Sequence, residues 1–217
     1  MLEVVNHTQR KCNKEELHGV QKISHLYEKP LERGDVKITP FSIKGSCALE
    51  NMRYIRDGLP EAVIENGEYT RLVINGQLVM SDTPLECRTN RSFIEMVNGD
   101  ILIAGLGIGL LPYNLLFTEK ESVVNSVTVI EKNKDLIDLL EPVFKHKKLK
   151  IINDDIFKFE TKEKFNYIYF DIWPDFNSDN LEDMKLLEKK FRKNLVKNGK
   201  IDSWSKDICK RLKRRGW

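Results

Sequence analysis

Three glycines in five residues, Gly105, Gly107 and Gly109 of the run ILIAGLGIG, come directly after four apolar residues. Acidic residues then recur at intervals: Glu131, the pair Asp154-Asp155, and Asp171. Glycines let a backbone turn sharply and approach a ligand with no Cβ in the way, while a helix opening at Leu110 aims its free N–H groups at the same spot. Pro112 suits the first turn of that helix, where no N–H donor is needed. Together these make a nucleotide site. The spacing is not that of a dinucleotide fingerprint, G-x-G-x-x-G/A, because Leu110 stands at the sixth position, so NAD is disfavoured. Glu131 lies 26 residues after Gly105 at the end of the next apolar run, where a carboxylate can accept hydrogen bonds from two ribose hydroxyls. Asp171 closes the run YIYFD, and a carboxylate at such a strand end can orient a nucleophile or take its proton.

The elements that must position these residues alternate from Asp100 onward, which predicts a parallel sheet with helices on both faces. Strands are expected at 101–104, 127–131, 149–153, 166–171 and 199–204, with helices at 110–119, 133–145 and 180–194 and a short one near 156–160. Right-handed crossovers and a switch point beside the first strand put the ligand at the carboxyl ends of the strands. Upstream, AVIE, YTRLVI and QLVM read as a small antiparallel β-meander over about 62–80, its turns supplied by Asn66-Gly67 and Asn75-Gly76. A polar stretch and a helix at 84–97 link it to the glycine turn. Residues 36–43 look extended and 15–27 have weak helical periodicity. The organisation expected is an extension with meander and linker helix at 1–98, then a nucleotide-binding domain at 99–217 with a basic tail.

The glycine turn with its acid after the second strand resembles class I S-adenosylmethionine-dependent methyltransferases. The meander, linker and glycine-turn layout, with MSDTPLE, GLGIG, VIEKN, NDDIF and DIWPD, further resembles the spermidine-synthase-like branch, over roughly residues 60 to 204. The resemblance implies a Rossmann-like methyltransferase fold, α/β, strand order 3-2-1-4-5. It implies S-adenosylmethionine as cofactor, with decarboxylated S-adenosylmethionine as the alternative. Gly105, Leu106, Gly107, Gly109, Glu131, Lys132, Asp154, Asp155, Ile156 and Asp171 fall on the cofactor positions: Asp155 toward the adenine amino group, Ile156 on its ring, Asp171 facing the sulfonium and the acceptor as the catalytic group. Asp154 or Asp155 could equally cap the short helix after them. Asp82, Arg88, Trp173 and Asp175 fall on the acceptor side, Trp173 as an aromatic wall or as core packing. The turn's N–H groups, with Arg88 or Arg91, are expected to hold the cofactor's carboxylate.

Departures bear on the reaction. The Gln and the Tyr-His-Glu stretch of aminopropyltransferases are replaced by Val79 and by Glu86-Cys87-Arg88, and DIWPD replaces the two-acid polyamine loop. DIWP also differs from the Asn/Asp-Pro-Pro-aromatic motif of base N-methylating enzymes, which disfavours a base-methylating role without excluding it. Methyl transfer is therefore favoured over aminopropyl transfer, with a non-catalytic nucleotide-binding or regulatory module as the reading from another class.

At 217 residues with 41% hydrophobic and 32% charged content the chain has the make-up of a globular protein, and no apolar stretch approaches the ~20 residues of a membrane helix. The opening MLEVVNHTQRKCNKEE lacks the apolar centre of a secretory signal, so a cytoplasmic location is expected. Cys12, Cys47, Cys87 and Cys209, like His7, His18, His25 and His146, show no ligand spacing, and no metal is expected. The net charge of +3 hides an asymmetry, since residues 205–217 carry six cations against one acid. Those cations either complement a helix dipole or contact RNA, DNA or an acidic partner. The last strand edge needs a cover, from the tail helix or from a second copy of the chain.

Overall fold

The computed structural model describes residues 19 to 216. His7, Cys12, His18 and the start of the weakly periodic 15–27 stretch lie outside them; within that stretch Ser24–Leu26 forms a single 3-10 turn. A four-stranded antiparallel sheet comes first: β1 (Leu31–Arg33), β2 (Val36–Ile43), β3 (Gly67–Ile74) and β4 (Gln77–Ser81), in that order, with helix α1 (Ala48–Arg56) between β2 and β3. Helix α2 (Pro84–Met96) leads into β5 (Gly99–Ala104), α3 (Leu110–Leu116), β6 (Val124–Glu131), α4 (Lys134–Leu140), β7 (Leu149–Asn153), β8 (Phe165–Phe170), α5 (Asn180–Phe191), β9 (Leu195–Ser203) and α6 (Lys206–Arg214).

The second sheet is parallel throughout and ordered β7-β6-β5-β8-β9, which is the expected 3-2-1-4-5 order of the Rossmann-like methyltransferase fold. Its central strand earns that place by composition, since Ile101, Leu102, Ile103 and Ala104 are all fully buried. Ile101 and Ile103 join one core cluster with Leu115, Leu136 and Leu140, while Leu102 and Ala104 join the other with Met184, Leu187 and Phe191. Helices therefore cover both faces, as period-2 alternation of side chains requires. Strand register aligns the carboxyl ends: Ala104 lies beside Ile130 and Phe170, Glu131 beside Asn153, and Phe170 beside Ser203. The five strands end in one row.

The meander is larger and starts elsewhere than the sequence suggests. Asn75-Gly76 does form the hairpin turn, with φ of 52° and 74°. Asn66-Gly67 does not, because β3 pairs along its whole length with β2, residue 36 against 74 through 43 against 67. The AVIE run needs no strand partner: the Asn51 amide donates to Ile64 O (2.9 Å) and accepts from Ile64 N (2.7 Å), and Arg88 donates to Glu61 O and Val63 O. The helix expected near 156–160 is a turn, α4 stops before Pro142, and β9 begins earlier than expected, at Leu195.

The antiparallel sheet shares its core with the parallel one, since Ile23, Tyr27, Val36, Ile38 and Leu72 belong to the same cluster as Ile101, Leu106 and Ile108. The Tyr27 hydroxyl donates to Ile108 O, and Arg33 of β1 pairs with Asp135 and Asp138 of α4 at 3.1 and 3.0 Å. Tail cations are likewise engaged within the chain: Arg211 pairs with Glu61 at 2.8 Å, Lys206 with Glu188, and Arg215 donates to Asp57 O, while Lys213 and Arg214 stand exposed. Among the described residues no helix is long and apolar enough to cross a membrane.

Asp82 is a joint of this assembly and not an acceptor-side residue. It is fully buried, one oxygen accepting from Thr70 N at 2.6 Å and the other from Ile23 N at 3.0 Å. Asp82→Ala orphans both donors, each costing about 1–3 kcal/mol, so denaturant unfolding should show a loss of about 2–6 kcal/mol. A loss below ~1 kcal/mol would mean that water replaces the carboxylate at both.

Candidate active site

Because the strands end in a row, the residues just past them share one space, a cleft of about 860 Å³ roofed by β3 and β4 of the antiparallel sheet. Gly105, Gly107, Glu131, Lys132, Asp154, Asp155, Ile156, Asp171 and Trp173 all line it. Residue 105 must lack a side chain: its φ is 97°, and a Cβ there would lie 2.0 Å from the carbonyl oxygen of Asp171. Gly107 is similarly placed against Met80, whose sulfur would lie 2.0 Å from an added Cβ.

Glu131 is 8% exposed and held at both oxygens, accepting from Leu106 N at 2.9 Å and from Asn133 N at 2.7 Å. A carboxylate fixed in this way keeps lone pairs for a ligand without a side-chain rotamer left to freeze. Leu106, itself buried, and Gly109, the N-cap of α3 packed on Phe144, do not line the cleft; they shape the turn from behind. Asp154 accepts from Asp155 N at 2.7 Å, and Asp155 accepts from Phe157 N at 2.9 Å, so both acids brace the turn that carries the buried Ile156. Lys190 of α5 secures that turn from outside, donating to Phe157 O at 2.7 Å.

The linker arginines are elsewhere. Arg88 is turned onto the 61–65 segment, where it also pairs with Glu65, and Arg91 pairs with Glu95 at 2.6 Å on its own helix. Neither lines the cleft. Asp175 is exposed and outside it; its carbonyl accepts from Asn180 Nδ2. Trp173 packs in the core with Phe170 and Leu181 and also lines the cleft.

Glu86 is the residue that sequence reasoning missed. It lines the cleft with Asp171, is 8% exposed, and is approached by Asn90 Nδ2 at 3.5 Å, Asn90 in turn accepting from the Tyr169 hydroxyl at 3.0 Å. Thr83-Pro84-Leu85-Glu86 has the form of a helix capping box. Yet the Thr83 side chain makes no cap hydrogen bond. Burial raises the Asp171 carboxyl to about 7, and burial together with the neighbouring Asp171 pushes Glu86 well above the carboxylate range. The cleft thus keeps a protonatable acid pair at neutral pH. Among the described residues no group of three His, Cys, Asp or Glu side chains is placed to hold a metal ion.

Residues 98–198, from the start of the parallel sheet into β9, match the family model described as ribosomal RNA adenine dimethylase. A curated relative, ribosomal RNA small subunit methyltransferase A of Mesomycoplasma hyopneumoniae (strain 232), is 42% identical over 73 residues, 33% of this chain and 26% of that protein. The matched stretch thus spans about a quarter of that relative's length. Similar solved structures include an S-adenosylmethionine-dependent methyltransferase from Clostridium acetobutylicum ATCC 824, at 19% identity over 51% of this chain and 44% of that one with TM-score 0.37. Another is the glycopeptide N-methyltransferase MtfA complexed with S-adenosyl-L-methionine, at 18% identity over 51% and 50% with TM-score 0.40. The spermidine-synthase side of the sequence resemblance draws no support from these relatives.

A raised carboxyl pKa means that the folded state holds its proton to higher pH than the unfolded one, so stability falls as pH climbs from about 4 toward 7. Asp171→Asn removes that loss. Its melting temperature should exceed wild type at pH 8, with the gap closing toward pH 4; equal melting temperatures at pH 8 would place Asp171 in a solvated setting.

Proposed function

We propose that this chain is an S-adenosylmethionine-dependent methyltransferase acting on a nitrogen acceptor. One observation carries the reading: the glycine turn, the fixed carboxylate of Glu131, the Asp154-Asp155-Ile156 turn and the acid pair Glu86–Asp171 line a single cleft at the carboxyl edge of a 3-2-1-4-5 sheet.

The residues fit the cofactor. A volume of about 860 Å³ is in the range of small-molecule and cofactor sites. Glu131 would take the ribose hydroxyls, and Ile156 would pack on the adenine with Asp154 or Asp155 beside it. When bound, S-adenosylmethionine supplies a methyl group already activated by its sulfonium. Carboxylates around the cleft favour a cationic centre, and the buried walls keep that attraction from being screened.

Asp171 and Glu86 then act on the acceptor. An ionised Asp171 accepts a hydrogen bond from an amine N–H, orients the lone pair, and takes up the proton released on transfer. Trp173 forms an aromatic wall against which a flat acceptor can lie. The family description and the curated relative favour the exocyclic amine of adenine in RNA as that acceptor, with Lys213 and Arg214 as the exposed tail cations available to a phosphate backbone.

Three measurements test the reading. Calorimetry should show S-adenosylhomocysteine binding, weakened by about 1.5–3 kcal/mol in Glu131→Ala. Asp171→Asn should keep that binding while labelled-methyl transfer to RNA falls by about two orders of magnitude or more. Because kcat/KM reports the free enzyme, it should rise with pH up to about 7 and level off above, the sign expected of a base that must lose its proton. Release of 5′-methylthioadenosine from decarboxylated S-adenosylmethionine with an amine acceptor would identify aminopropyl transfer, and cofactor binding with no transfer to any amine or RNA would leave a binding module.

A further inference from the structure

The backbone of the glycine turn is unusually committed to the protein itself. Gly105 N donates to Ile130 O at 2.9 Å, Leu106 N to Glu131 Oε2 at 2.9 Å and Gly109 N to Leu106 O at 2.9 Å. Ile108 N donates to the thioether of Met80 at 3.2 Å. That leaves Gly107 as the donor of the turn not already engaged among the described residues. The cations that line the cleft are Lys132 and Lys134, both beside Glu131, and Lys134 is paired with Asp138; Arg88 and Arg91 are bound elsewhere.

Met80 reaches the turn because β4 is irregular. Leu72 pairs with Met80 but Val73 with Leu78, so Val79 is an extra residue, and Leu78, Val79 and Met80 all border the cleft. The sulfur then sits where a side chain on Gly107 would be, and it covers the N–H of the fully buried Ile108. A thioether is a weak acceptor, far poorer for an N–H than a carboxylate.

Resting on the cofactor reading above, we propose that Met80 is a specificity-determining residue: its thioether occupies the acceptor position in front of the Ile108 N–H, where the glycine turn would otherwise grip a cofactor carboxylate, so the site holds its cofactor by the nucleoside and gains little from the amino-acid end. The alternative, that Met80 is only a packing contact between the two sheets, predicts a change in stability and none in ligand preference.

The test compares two ligands that differ at that end, S-adenosylhomocysteine and 5′-methylthioadenosine, by calorimetry on wild type, Met80→Ala and Met80→Leu. Wild type should bind the two within about threefold of each other. Met80→Ala, which opens the Ile108 N–H to the cleft, should tighten S-adenosylhomocysteine by about tenfold, the scale of one charge-assisted hydrogen bond, and leave 5′-methylthioadenosine unchanged. Met80→Leu keeps the bulk and should tighten neither. A wild-type preference of tenfold or more for S-adenosylhomocysteine overturns the inference even if Met80→Ala does not fold, and so does a folded Met80→Ala with unchanged preference. Failure of both ligands to bind wild type would instead sink the cofactor reading, and the inference with it.

Discussion

The molecule turns on a contact between two backbones. Strands β5 and β8 run side by side through Ala104 and Phe170, and the next residue of each, Gly105 and Asp171, must then pass with no room for a side chain on the former. Asp171 N bonds back to Ala104 O at 2.8 Å and Gly105 N crosses to Ile130 O, so the three central strands are laced together at the point where they end. Hydrogen bonding and steric exclusion act on the same few atoms there. Any shift of register would move the Asp171 carboxylate away from the turn, because side-chain direction alternates along a strand.

How much of this the sequence disclosed depends on the range of the interactions involved. The parallel half was legible because each strand carries its own signal: ILIA, VTVI and YIYF are buried on both faces and read as apolar runs without knowledge of their neighbours. The row of strand ends, and with it the meeting of Gly105, Glu131, Asp154 and Asp171, comes from topology alone. The antiparallel half was only partly legible. Its β2–β3 pairing joins residues separated by a helix, and what holds the 61–65 segment is a pair of side chains, Asn51 and Arg88, that no local pattern announces.

Site residues divide along the same line. Those fixed by the strand ends lie in the cleft, whereas Asp82, Arg88 and Asp175 were placed by motif position: Asp82 and Arg88 are turned away by backbone partners distant in sequence, and Asp175 stands exposed outside the cleft. Glu86 was hidden by the opposite effect. Its place in the first turn of α2 offers a routine local explanation, and only the docking of that helix against β8, where Phe93 stacks on Tyr169 with ring centroids 3.9 Å apart, turns it toward Asp171. An acid pair in that position lowers stability at neutral pH, the usual relation between a reactive site and the scaffold around it.

The shared core sets the order in which the chain can be completed. Ile23, Tyr27, Val36 and Leu72 share a core with Ile101, Leu106, Ile108 and Leu115, which the ribosome adds only as it makes β5, the glycine turn and α3. During synthesis the sheet of β1 to β4 must wait with an uncovered apolar face, for seconds at ~5–20 residues per second. Contacts spanning about 80 residues, such as Tyr27 with Ile108, belong to the slow, non-local class. The amino-terminal sheet is thus made first and finished last, and the interval before β5 emerges is when a nascent chain is most exposed to holdase chaperones or to mispairing with another copy.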